Sequence, residues 1–598
     1  MIVTWFAEVV VPGPWWSNLT YRSSLPLEPG TRVRVPVGRG VRVGFVLGGD
    51  SISSWPEAQV RPILDVLDER PVISLPIWQL TQWVGRSFLC GVGLALSVML
   101  PGSVLKGEAV PPLQSQKMNE RKGRFSVNTC YRWLDDDRLE RYKTYLIDPD
   151  CRAVVAFPEI ERAKAFFKDL ERSGISGGLL WPRGNGTTRR KAWLACRDGL
   201  VRFVVGGPGV MAAPLCPDVV IIEEESNDAY RLQRHPKLHA RSVLSRMARE
   251  WGAELLLGGR LPSSRVMREI APKEERRKPG ARLVLIDVNR AHEAAIDGAS
   301  DGLHLSEGAL SRTVETVSRG GVALWLLDRK SYLGDLRCDD CGRPLQCLCG
   351  GSMGLRHGRV RCLRCGREES WSDVCPCCGG AVITGRRPGL EALVPIAQAV
   401  VSGKTMLLWT AEDPRGIAQR RERIKALKEG GLVLGTRRAL ELCDLSIVDL
   451  VCWIDGDGES WRPDHDARWR AYSIVCESCW RGHNPENRTV LLQSRRPGKG
   501  WQSALRLGWE AFWKNELAER RELELPPYRY LVEITDLADH KANLAAEAAG
   551  TSLDVMDPDP GEDRLWVATP GLGRLRNVMA SRFAIGSKVY PKVTVWTD

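Results

Sequence analysis

Short apolar runs bounded by glycine, proline and charged residues recur along the middle of the chain. RAVVAF (152–157), LVRFVVGG (200–207), DVVIIEEE (218–225) and AELLLGG (253–259) form one set, with helical stretches between them. VALWLLD (322–328), TMLLWT (405–410), LVLGT (432–436) and LVCWIDGD (450–457) form a second. Runs without polar alternation suit strands buried on both faces, so each set predicts a doubly wound parallel α/β sheet. Ahead of them the pattern is different. TRVRVPVGRGVRVGFVLGG (31–49) alternates Arg32 and Arg34 with Val33 and Val35, which predicts a half-buried strand in a β-rich segment. LPIWQLTQWVGRSFL then has helical spacing, with Trp78 and Trp83 on its core face.

Polar breaks divide these textures. LKGEAVPPLQSQKMNERKGRFSVN (105–128) reads as a linker, and APKEERRKPGA (271–281) separates the two α/β sets. The pair Pro526-Pro527 opens a small C-terminal section ending in KVTVWTD. The expected organisation is a β-rich domain over 1–104, a linker over 105–128 and a first α/β lobe over 129–285. A second lobe starts over 286–336, carries an insertion over 337–380 and continues over 381–525. A small α+β domain fills 526–598.

The insertion carries the clearest chemistry. Cys338 and Cys341, Cys347 and Cys349, Cys362 and Cys365, and Cys375 with Cys377-Cys378 are thiol pairs two or three residues apart. A tight turn of that length supplies two of the four ligands of tetrahedral zinc, so four pairs predict two closed, structural sites. Eight thiolates leave no open coordination position for catalysis. A disulfide framework is set aside, because no signal peptide is visible and each pair is too close to bridge comfortably within itself. The other nine cysteines, such as Cys90, Cys216 and Cys452, are scattered and expected to be buried and reduced. No apolar run is long enough to span a membrane, and the expected location is the cytoplasm.

The formal charge of +12 becomes informative only where it is concentrated. Arg32, Arg34, Arg39 and Arg42 fall within eleven residues that contain no acid, which makes them candidate contacts to a phosphate backbone. A solvated strand face would read the same way.

Longer stretches resemble one family. LSEGALSRTVETVSRGGVALWLLDRKSYLGDLRCDDCG (305–342), RHPKLHAR (234–241), ELAERRELELPPYRYLVEI (516–534) and PGTRVRVPVGRGVRVGFVLG (29–48) are similar to segments of the superfamily 2 helicase PriA family, the primosomal proteins N-prime of replication restart. The resemblance covers nearly the whole chain; residues 105–128 leave room only for a linker where that family carries a winged-helix domain. It implies two RecA-like helicase lobes with a binuclear zinc insertion in the second, behind an N-terminal DNA-binding domain. It also implies the ligand sets: Cys338 and Cys341 with Cys375 and Cys378 on one zinc, and Cys347 and Cys349 with Cys362 and Cys365 on the other. Which of Cys377 and Cys378 binds is left open.

Set against that pattern, the catalytic motifs are damaged. The phosphate-binding loop should precede RAVVAFPEIER, but YRWLDDDRLERYKTYLIDPD (131–150) contains no glycine, and Lys143-Thr144 sits on a helix. Ser402-Gly403-Lys404-Thr405 lacks the earlier glycine and has a helix before it and a strand after it. The family's DEEH is Glu223-Glu224-Glu225-Ser226, and its SAT-P is Gly259-Arg260-Leu261-Pro262. Gly435 and Thr436 survive from the next motif, with Glu441 in place of its lysine. Of two arginine fingers only Arg481 is present, the other position being Asn484. The family's 3′-end pocket uses Phe-Asp-Tyr; Leu19-Thr20-Tyr21 stands here.

The expectation is therefore a DNA-binding restart protein that recognises branched or forked DNA. It would promote replicative helicase loading with other primosome proteins and single-strand-binding protein, carry two zinc ions and no catalytic or nucleotide-binding residues, and contact no membrane. The rival readings are an active ATP-dependent 3′-to-5′ DNA helicase with divergent motifs, and a zinc-ribbon interaction scaffold without a DNA role.

Overall fold

The computed structural model describes all residues except 1–4, 53–54, 113–122, 185, 276–277, 290–292, 296–303, 329–332, 339, 348–351, 357–358, 363–366, 371–373, 381–382, 413, 415, 463, 551–552, 557–562 and 584–588. The chain divides into two compact units. One comprises residues 1–132, 137–272 and 517–598, the other residues 133–136 and 273–516.

The described residues of the first unit form three sheets. The N-terminal one is antiparallel, in the order Leu19–Ser23, Trp5–Val10, Gly40–Asp50, Arg32–Val37, Asp65–Val66. Helix Leu75–Ser87 follows it, and Trp78 is buried in the core as its spacing predicts, stacked on Phe45. Next comes a parallel sheet in the order Ser126–Tyr131, Glu254–Gly259, Val219–Ile222, Ala153–Ala156, Phe203–Gly206, Gly178–Leu180. Its side chains alternate between two cores: Val154, Val204, Val220 and Ile222 enter one, and Val155, Phe203, Val205 and Ile221 the other. Burial on both faces is why the sequence shows apolar runs here instead of alternation. The third sheet is C-terminal, with Tyr530–Thr535 between Arg564–Thr569 and Lys592–Trp596.

The second unit holds another parallel sheet, ordered Arg282–Asp287, Thr489–Ser494, Val448–Trp453, Val322–Leu326, Gly431–Gly435, Met406–Trp409. Both α/β lobes implied by the apolar runs are thus present. Two boundaries shift. Strand Ser126–Tyr131 begins inside the stretch read as linker, and Arg282–Asp287 enters the second sheet before the boundary expected at 285. Between Val322–Leu326 and Met406–Trp409 the chain forms a separate antiparallel sheet, in the order Glu368–Ser370, Arg359–Cys362, Met353–Arg356, Leu333–Cys338, Ile383–Pro388. The described cysteines are free thiols, and those outside residues 333–388 are buried apart from the half-buried Cys151. Among the described residues no helix is long and apolar enough to cross a membrane.

Candidate functional site

Strand Val219–Ile222 ends in three consecutive glutamates that turn inward, and Glu223, Glu224 and Glu225 are all buried. An unpaired carboxylate in such a place costs several kcal/mol, so the turn requires counter-charges. Four arginines from four separate elements supply them. Arg138, on helix Asp135–Ile147, is fully buried and reaches both Glu223 (2.7 Å) and Glu224 (2.8 Å). Arg162, on helix Ile160–Arg172, reaches Glu223 at 3.3 Å. Arg260, just past strand Glu254–Gly259, reaches Glu224 at 3.0 Å. Arg241, on helix Ala240–Trp251, reaches Glu225 at 2.7 Å and also pairs with Asp598.

Neutral donors complete the set. The Tyr142 hydroxyl donates to Glu223 at 2.7 Å. The Tyr131 hydroxyl and the Ser263 backbone N–H donate to Glu225 at 2.9 and 2.7 Å. Burial raises the Glu224 carboxyl above its usual range, while Arg260 and Arg138 pull it down. Glu224 also adopts a left-handed backbone, φ 49°, which its ion pairs hold in place.

The loop that should cradle phosphates is three residues long. Strand Ser126–Tyr131 passes through Arg132-Trp133-Leu134 directly into helix Asp135–Ile147, with no glycine to let backbone N–H groups wrap an anion. Lys143 pairs with Glu140 and Asp169, and the Thr144 hydroxyl donates to the Arg141 carbonyl, so neither serves the acidic turn. Ser402–Thr405 lies between helix Val394–Val400 and strand Met406–Trp409, the reverse of the order a phosphate loop needs.

The second unit treats its motif positions in the same way. Glu441 accepts a hydrogen bond from Trp409 Nε1 at 2.7 Å and lies 3.5 Å from Arg420 and 3.7 Å from Arg438. Arg481 is buried between Asp444 (2.7 Å) and Glu477 (2.6 Å). Asn484 takes a left-handed backbone, φ 50°, at the start of the turn Pro485–Asn487.

The cysteine block shows a different geometry. Sulfurs of Cys338, Cys341, Cys375 and Cys378 lie within 4.8 Å of one another and could hold a metal ion. The Cys338–Cys378 and Cys341–Cys375 sulfurs are 3.6 and 3.9 Å apart. Zn–S bonds of about 2.3 Å place tetrahedral sulfurs roughly 3.8 Å apart, so the donor set fits zinc. Backbone N–H groups of Cys377 and Gly380 point at the Cys375 and Cys378 sulfurs, each at 3.4 Å. Cys377 turns away, its sulfur 3.1 Å from Arg343. Of the second expected set, Cys347 and Cys362 are buried in a small core with Leu336, Met353 and Val360. Cys349 and Cys365 lie outside the described residues.

The four candidate DNA contacts do not stay together. Arg32 is 1% exposed, forks onto Asp68 at 2.7 and 2.8 Å, and donates to the carbonyls of Val104 and Glu108. Its charge is consumed inside the fold, which corrects its place in the basic ribbon. Arg34, Arg39 and Arg42 are exposed at the end of the hairpin formed by Arg32–Val37 and Gly40–Asp50. Arg42 lies 5.4 Å over the Trp15 ring. Tyr21 is buried with its hydroxyl donating to the Pro36 carbonyl at 2.9 Å, bracing this hairpin, and burial pushes its pKa up to about 12.

The sequence shows where this chain departs from the motifs of the family it resembles, but not what surrounds those positions. Arg138 and Arg162 carry no motif. The signal available was three successive acids closing an apolar strand, which demand buried cations from elsewhere in the chain.

Comparison with known proteins points one way. A family model described as the 3'DNA-binding domain (3'BD) of PriA matches residues 8–101. The "Replication restart protein PriA" of Treponema pallidum is 23% identical over 92% of this chain and 90% of its own length. Proteins of that name from Thermotoga maritima and Bacillus subtilis are each 24% identical, over 63% and 66% of this chain. The chain spans about half the length of those two relatives, 51% in each case.

Proposed function

We propose that the chain is a member of the replication restart protein PriA family and that it is a DNA-binding primosome protein working without ATP hydrolysis. It recognises branched or forked DNA and promotes loading of the replicative helicase, together with single-strand-binding protein and other primosome proteins. Residues 1–104 form its DNA-binding domain, with Arg34, Arg39 and Arg42 as contacts. The two α/β lobes are a scaffold inherited from a helicase.

The observation that carries this reading is Arg138 lodged between Glu223 and Glu224. Phosphoryl transfer depends on positioning and on charge stabilisation. Here the acidic residues that would serve a metal-bound nucleotide are neutralised by the protein's own cations, and the chain that would wrap phosphate is a three-residue link without glycine. Arg481 is likewise committed to Asp444 and Glu477.

Zinc completes the proposal at two ions per chain. Cys338, Cys341, Cys375 and Cys378 would hold one, and Cys347, Cys349, Cys362 and Cys365 the other. Bound there, each ion would crosslink its turns and fix the insertion as a rigid surface for partner proteins or single strand. Fluorescence anisotropy with labelled DNA tests the reading. A fork should bind more tightly than a blunt duplex of equal length, with the same affinity with and without ATP. Equal affinity for both DNAs, or binding that requires ATP, would overturn it.

A further inference from the structure

The hairpin of the N-terminal sheet carries its arginines on two faces. Its register sets Arg34 opposite Val43, Val35 opposite Arg42 and Pro36 opposite Val41. Residues directly opposite each other in an antiparallel pair share a face, and successive residues alternate. Arg34, Pro36 and Val41 therefore lie on one face, and Arg42 lies on the other. Arg39 is in the turn between the strands, after Gly38 at φ 59°. Residues 38–42 are all exposed, and Val41 is 60% exposed although it is apolar.

The neighbouring arginines of this sheet are engaged. Arg32 is tied to Asp68, Arg22 donates to the Val60 carbonyl, and Arg61 donates to the Gly38 carbonyl. Arg34, Arg39 and Arg42 form no ion pair among the described residues. The acid nearest in register is Asp65, across from Arg34 on the edge strand.

A flat basic face suits a single line of phosphates. A two-stranded tip with exposed cations on both faces and at its end suits a channel with phosphates on both walls. Duplex DNA provides one, since its major groove is about 12 Å wide and admits a two-stranded β-ribbon. We propose that this hairpin tip enters the groove of a duplex arm of the branched substrate. Arg34 and Arg42 contact the phosphate backbones of opposite walls, Arg39 reaches inward at the tip, and Val41 packs apolar surface against the groove. Arg42 is held in its outward position by Trp15. The inference rests on the DNA-binding reading above and specifies which form of DNA this surface takes.

Salt titrations on the full chain, zinc included, test it with three probes: a fork with duplex arms, a plain blunt duplex and a single-stranded oligonucleotide. Each phosphate neutralised on B-DNA contributes about 0.9 to the slope of log K against log salt. Arg34→Ala and Arg42→Ala should each lower the slope by about 0.9 on both duplex-containing probes, and the double variant by about 1.8, with the single strand unaffected. Arg42→Lys, which keeps the charge and loses the planar stack on Trp15, should retain the slope. Asp65→Asn should tighten duplex binding. Both arginines are exposed and form no ion pair among the described residues, so unchanged thermal melting confirms that the variants fold. A wild type that fails to bind the fork would sink the DNA-binding reading itself. A wild type that binds normally while only one arginine shifts the slope, or both shift it equally on single strand, would overturn groove insertion alone.

Discussion

Two groups of potential ligands in this protein have taken opposite courses. In the acidic turn, Glu223, Glu224 and Glu225 meet four arginines and two tyrosine hydroxyls, so every carboxylate is satisfied by the protein itself. In the cysteine cluster four sulfurs converge on one another, and backbone N–H groups point at two of them, those of Cys375 and Cys378. Residue type alone does not separate these cases, because carboxylates and thiolates both bind cations. What separates them is whether an internal cation arrived first. A site is available to a ligand when its charge is uncompensated by the fold, and in the acidic turn each glutamate already faces a buried arginine.

The largest expected effect removes the open cluster. Cys338→Ser should lose one of two zinc ions in metal analysis of the purified protein, while Cys377→Ser, whose sulfur faces Arg343, should lose none. Equal loss from both would mean that Cys377 belongs to the ligand set after all. The next breaks the closed cluster. Arg138→Met strands buried carboxylates, and removing one partner of a buried pair costs about 3–5 kcal/mol. Urea denaturation should show that loss, with partial recovery in Arg138→Met/Glu223→Gln. A loss below about 1 kcal/mol, the scale of an exposed pair, would mean that the network is not closed.

A third variant restores a family residue. Glu441→Lys removes the acceptor of the buried Trp409 Nε1 and adds a cation beside Arg420 and Arg438. It should destabilise by about 1–3 kcal/mol, the cost of an orphaned buried donor, without creating nucleotide binding. Nucleotide-dependent protection in a thermal shift would say that the motif is dormant instead of replaced.

The smallest effect is a slope. Burial raises the Glu224 pKa above the ordinary 4.5, so the folded chain keeps this proton to higher pH than the unfolded one. The stability linked to it is full below 4.5 and is lost as pH rises through the folded value. Wild-type stability should therefore fall relative to Glu224→Gln as pH rises above 4.5. Parallel pH profiles would show that the arginines cancel the effect of burial, and wild-type stability that rises relative to the variant would show that they outweigh it.

The same contrast explains what could be read from the sequence. The cysteine pairs announce themselves because ligands of one turn are neighbours in sequence. Choosing between Cys377 and Cys378 was beyond spacing, since one residue of turn rotation decides which sulfur points inward. The parallel strands were legible as apolar runs because both sheet faces are covered. Arg32 was misleading: its local pattern matches that of Arg34, and the groups that bury it, Asp68, Val104 and Glu108, lie 36 to 76 positions away. The arginines around the acidic turn come from four distant segments, so departures from the family's motifs could be seen while the network of ion pairs around Glu223–Glu225 could not.

The central claim is that the protein's own cations stand where a phosphate cradle and its metal would act. ATP hydrolysis measured with saturating forked DNA tests it most directly. The account predicts no DNA-stimulated rate above background, and the same background for Glu224→Gln. Stimulated hydrolysis that Glu224→Gln abolishes would contradict it and establish a working helicase site.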